Sequence, residues 1–288
     1  MTAIYKKELR SYFTSFLGYL FIAFFLLFIG VFQYIYNLYQ GYANFARAIN
    51  GVATLFLLLV PVLTMRILAE EKRQRTDQLL FTSPVSVERI VLGKYLALIT
   101  VFAIAVAIVC VYPIVLHNYG ATNYAVAYTT LGAFFLLGCT YMAIGMFVSA
   151  LTESQIFAAV LTFIVILFTL MIDLLVEMLP TGHELALAVL IGLALIIAVI
   201  TYVMMKSKIV TAAFAVISVG GLIVAYAIDP LKFDGSLAKV FGWLSVQSRF
   251  SLFQYGIVDP SAYVYYLSMI FLFVFLTIQA IKKRRWEA

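Results

Sequence analysis

The sequence predicts an all-α polytopic membrane protein, a single membrane domain over residues 1–288, and three observations predict it. The 288 residues are 65% hydrophobic and only 11% charged, whereas a soluble domain averages about 25% charged residues and needs them to coat its surface. Apolar runs follow one another along the whole chain with no hydrophilic domain between them. None of the runs shows the alternation of a membrane barrel, so helix is what satisfies every backbone group inside lipid.

A helical span needs about 20 residues. Eight runs qualify: 16–36, 52–69, 95–116, 124–151, 156–178, 185–205, 209–228 and 262–281. The sixth and seventh are separated only by Lys206, Ser207 and Lys208, which suits a helical hairpin over 185–228. Asp173 and Glu177 share a face at the end of the fifth run. They suit a span ending in water better than a proton relay.

Charge sets the orientation. With both termini cytoplasmic, 15 of the 19 Lys and Arg fall in cytoplasmic segments, and the outer segments keep only Arg47, Lys232, Lys239 and Arg249. Such a positive-inside bias needs an even number of spans. A six-span count would place Lys206 and Lys208 outside. The net charge of +6 therefore reports orientation in a bilayer, not a nucleic-acid partner.

In chain order, residues 1–15 form an interfacial helix. Ile4, Tyr5, Leu9, Tyr12, Phe13 and Phe16 recur at helical spacing opposite Lys6, Lys7, Arg10 and Thr14, so the apolar stripe lies on the bilayer and the cations meet its headgroups. The following run is longer than a signal-peptide core. In the second span Pro61 should produce a kink. The helix should then continue through Glu70, Glu71 and Lys72 into a cytoplasmic segment, 70–94. There a short helix over 76–81, stopped by Pro84, would carry Leu79, Leu80 and Phe81 on one side. Glu70, Glu71, Arg73 and Asp77 would stand on the other. Such a segment can be gripped by a soluble partner, or it can be an ordinary charged loop. Over 236–258, interrupted apolar stripes suit short outer helices lying at the interface.

The sequence contains no G-x-x-x-x-G-K-[ST] phosphate loop, no H-E-x-x-H, no G-x-S-x-G and no C-x-x-C. The chain is therefore not expected to be an enzyme itself, nor to hold a metal or cofactor. Cys110 and Cys139 lie mid-span and read as packing residues. An ion-coupled carrier is disfavoured because mid-bilayer charge is nearly absent. A membrane-embedded enzyme is disfavoured because no His, Asp and Glu converge at one depth. The substrate is not legible in these residues.

Several stretches carry a resemblance. Residues 65–72, Thr76 to Leu80, Ser83 to Ser86 and 90–97, with 5–13 at the start and Ser248 to Phe250, Gly256 to Asp259 and Tyr265 to Ser268 near the end, resemble the permeases of type-two ABC transporters. The gliding-motility and nitrous-oxide-cluster branch is the most similar. The resemblance implies a type-two exporter fold of six core spans with 185–228 as an added hairpin. It implies pairing with a second permease chain, identical or related, in the bacterial cytoplasmic (inner) membrane. A separate ABC ATPase would bind ATP and Mg. Residues 70–83 would be the coupling helix, with Glu70, Glu71, Arg73, Thr76, Asp77, Leu79, Leu80 and Phe81 as its contacts. The N-terminal helix, with Tyr5, Lys6, Lys7, Arg10, Tyr12 and Phe13, would be the interfacial elbow. Many relatives carry Gly just before the Thr of the block, where this chain has Arg75.

Overall fold

A serine and a glycine set the first corner of the chain. Ser15 takes an extended conformation between helix α1 (Thr2–Thr14) and α2 (Phe16–Gln33). A Cβ at Gly18 would stand 2.6 Å from the carbonyl oxygen of Tyr12, so glycine lets α1 fold back closely on the start of α2. The computed structural model describes residues 1–41, 44–76, 85–118, 120, 123–178, 186–192, 194–195, 198, 208–229, 233 and 235–287. Every regular element among them is helical.

α2 runs on as a π-helical stretch, Tyr34–Tyr39. Asn44 caps α3 (Phe45–Ala53) by accepting from the N–H of Arg47 at 3.2 Å. α4 (Phe56–Thr64) follows at a bend of 56°. The bend lies at Thr54 and Leu55 and not at Pro61, which sits inside α4. Its cause is local. The Thr54 hydroxyl takes the Gly51 carbonyl at 3.1 Å, and the N–H groups of Leu55 and Leu57 bond three residues back, so the ladder tightens there.

Beyond α5 (Ala69–Arg73) come α6 (Val87–Val109), α7 (Tyr112–His117), α8 (Tyr124–Leu151) and α9 (Gln155–Met178). α10 (Lys208–Ile228), α11 (Ser236–Leu244), α12 (Val246–Ser251) and α13 (Pro260–Glu287) complete the order. Among the described residues five helices are long and apolar enough to cross a membrane, or six if α3 and its continuation make one broken span. Of the expected hairpin over 185–228, the first arm lies largely outside the described residues, and the second is α10.

The chain divides into two compact units, Met1–Leu170 with Val246–Ala288, and Met171–Ser245. In the larger unit α8 is the central helix, and 78% of its most apolar stretch is buried. Phe25, Phe56, Phe102, Phe134, Tyr141 and Phe250, drawn from five helices, form its buried aromatic column. Phe56 stacks on Phe134 at 4.8 Å, and Phe102 meets Phe25 edge-on at 5.6 Å. Lipid is as apolar as these rings, so close packing rather than burial from water must hold the helices together. In the smaller unit Ala186, Phe233 and Leu237 form a separate cluster with Leu190, Leu222 and Tyr226.

Candidate coupling site

The second span does not run unbroken into the charged block. α4 ends at Thr64, residues 65–68 form a loosened turn, and α5 begins at Ala69. The expected continuous helix is replaced because side chains of three other helices take over its backbone groups. Tyr12 of α1 donates its hydroxyl to the Leu63 carbonyl at 3.1 Å. Ser149 of α8 donates to the Met65 carbonyl at 3.3 Å and accepts from the N–H groups of Leu68 and Ala69 at 3.3 and 3.1 Å. Lys94 of α6 donates to the Ile67 carbonyl at 3.1 Å. A buried backbone break is tolerable only when its polar groups find such partners.

The charges around this turn are paired within the chain. Lys94 is 1% exposed, and its ammonium lies 2.9 Å from Glu8 of α1 and 2.8 Å from Glu71 of α5. Lys7 stands 3.8 Å from the same Glu71 oxygen. Arg66 holds Glu70 at 2.6 Å, and Lys72 donates to the Ala150 carbonyl at the end of α8. Glu70 and Glu71, expected to face a partner, are therefore engaged by cations of their own chain. A cavity of about 230 Å³ opens beside them, between Ser11, Gln74 and Lys94.

α5 ends in a recognisable way. The N–H of Thr76 bonds the Glu71 carbonyl at 3.0 Å and that of Arg75 bonds the Lys72 carbonyl at 3.2 Å, the paired bonds of a Schellman cap. The cap needs a left-handed residue, and Arg75 supplies it at φ 57°. Arg73, Gln74 and Arg75 are exposed. Asp77, Leu79, Leu80 and Phe81 lie outside the described residues.

The N-terminal helix has a charged and an apolar face, but the apolar face expected to lie on the bilayer packs on the protein's own core, where Leu9, Tyr12 and Phe13 join it. Lys6, Lys7 and Arg10 are exposed, Tyr5 and Phe13 half-buried and Tyr12 buried. Tyr5 shares a hydrogen bond with Thr100 at 3.1 Å, and Phe13 meets Tyr19 edge-on at 5.6 Å. Burial, with Glu8 and Glu70 close by and Arg66 opposing them, pushes the Tyr12 hydroxyl above its ordinary pKa and keeps it a donor.

The family model described as ABC-2 family transporter protein matches residues 33–281. The chain belongs to the ABC-2 family. A search of the curated proteins finds no match. Membership makes the chain a membrane permease subunit of an ABC transporter, and it implies an ABC ATPase as the family's general partner. The ABC-2 match leaves out α1, so the bonds of Tyr12 and Glu8 join a segment outside it to one within it.

Sequence reasoning missed the part of this ABC-2 permease site made by Lys94, Glu8 and Ser149. A signal was present for two of them. The buried stripe of α6 runs Val87, Val91, Lys94, Leu98, Val101, and Glu8 stands between Tyr5 and Tyr12 on the covered face of α1. A charge on an apolar helical stripe points inward and needs a partner. Nothing in the sequence singles out Ser149.

Proposed function

We propose that this ABC-2 permease is the membrane subunit of a bacterial exporter and that its ATPase docks on residues 70–83. The observation that carries the reading is the anchoring of 65–76. Its inner side is held by polar bonds to α1, α6 and α8, while Arg73, Gln74 and Arg75 remain exposed, and the sequence continues from them to Leu79, Leu80 and Phe81. A docking element needs this combination of a firm base, exposed charge and apolar side chains. ATP and Mg belong to the partner, and a second permease chain, identical or related, completes the path across the inner membrane. Export follows the resemblance set out above.

The test is co-purification. The parent chain brings down an ABC ATPase from its native membrane, and the complex hydrolyses ATP while the chain alone does not. Burying a Leu or Phe is worth about 1.5–3 kcal/mol, roughly ten- to a hundredfold in affinity. Leu80→Asp and Phe81→Asp therefore still insert but lose the ATPase. Variants that retain it at parental yield refute docking at this segment.

A further inference from the structure

We propose that Lys94 is the latch of the hinge at 65–68. It clamps the elbow helix α1 and the segment 69–76 onto α6, so that the three move as one body when a docked ATPase pushes on that segment. The proposal rests on the docking reading above.

The observations converge on one side chain. Lys94 is buried, and taking an ammonium out of water is tolerated only with full compensation. Its ligands come from separate elements: Glu8 from α1, Glu71 from α5 and the Ile67 carbonyl from the hinge itself. One atom, Nζ, thus touches α1, the helix that follows the hinge and the hinge backbone itself. Packing already holds α1 on α6, where a Cβ at Gly93 would meet Ile4 and the Met1 carbonyl at 3.3 Å, but it does not join either helix to α5. Within α5 only Ala69 is buried, and on the α1 side a polar cavity of about 230 Å³ lies against the segment. Lys7 adds a second tie from α1 to Glu71. A shift imposed on Glu71 therefore passes to Lys94 and Glu8, alongside the bonds that tie Ala69 and Lys72 to α8, and Lys94 acts as a positioning residue.

The test uses paired spin labels at Thr2→Cys and Gln74→Cys, both exposed, with Cys110 and Cys139 replaced by Ala. In the chain alone, in lipid nanodiscs, the parent gives one narrow distance distribution, and Lys94→Met and Glu71→Gln give broad ones. Glu71→Gln leaves Glu8 to compensate Lys94, so this variant folds even where Lys94→Met does not. In the ATPase complex, trapping with ATP and vanadate leaves the distance unchanged in the parent and alters it in Glu71→Gln, which a purely structural contact would not produce. A narrow, nucleotide-independent distance in Glu71→Gln overturns the latch and leaves docking standing. A parent chain that binds no ATPase overturns docking, and the nanodisc measurement still decides the latch.

Discussion

The N–H of Thr76 donates to the carbonyl of Glu71 at 3.0 Å, and the chain makes that turn with Arg75 at φ 57°. A side chain in the left-handed region costs about 1–2 kcal/mol, and glycine removes that cost. Arg75→Gly is therefore expected to keep the cap and to leave stability equal or higher, read as thermal unfolding in detergent. A clear loss of stability would show that the Arg75 side chain makes a contact outweighing its backbone strain.

Gly145 of α8 stands against Thr64 at the end of α4. A Cβ there would lie 2.4 Å from the Thr64 hydroxyl oxygen. Gly145→Ala should destabilise by about 1–3 kcal/mol through overpacking. Thr64→Ala in the same chain should recover part of the loss, because the two positions share one space. Additive effects in that double variant would contradict the contact.

Tyr12→Phe removes the donor to the Leu63 carbonyl. The Ile67 N–H bonds Thr64 instead of Leu63, so this carbonyl would be left bare, at about 1–3 kcal/mol. Faster amide exchange across 63–69 is the expected readout, and unchanged exchange would mean that the Leu63 carbonyl finds another donor.

Asp259 accepts from the N–H and hydroxyl of Ser261 at 2.8 and 2.6 Å and caps the start of α13. The Ser261 hydroxyl first, then its N–H and more weakly Arg249, hold the carboxyl below its ordinary pKa. A depressed folded pKa contributes stability that is present above the ordinary carboxylate pKa and lost as pH falls through the folded value. Acidification into that range should raise exchange at the first turn of α13, and Asp259→Asn should abolish the pH dependence.

Topology has a direct test. In a chain without its native cysteines, Ser207→Cys and Ala288→Cys should be labelled only from the cytoplasm and Ser236→Cys only from outside. Outside labelling of Ser207→Cys would favour six spans over eight.

Composition, apolar run length and the Lys and Arg distribution determined by themselves that this chain is helical and built for a bilayer. Those quantities decide which solvent the chain can live in before any contact forms. The two faces of the N-terminal helix were legible, because helical period sorts Tyr5, Tyr12 and Phe13 from Lys6 and Arg10, but what covers the apolar face was not: it packs on the protein's own core and not on lipid. The bend at Thr54 and the loosened turn at 65–68 were not legible, and only the tertiary structure decided them. Pro61 was the visible breaker, but the breaks fall where side chains compete for backbone partners, and at 65–68 those side chains are Tyr12, Lys94 and Ser149. They are distant in sequence, and their effect exists only once α1, α6 and α8 have packed around the turn. The same holds for Glu71. As a sequence letter it is a surface charge of the block, and only packing brings it to the buried ammonium of Lys94, where desolvation makes the pairing obligatory.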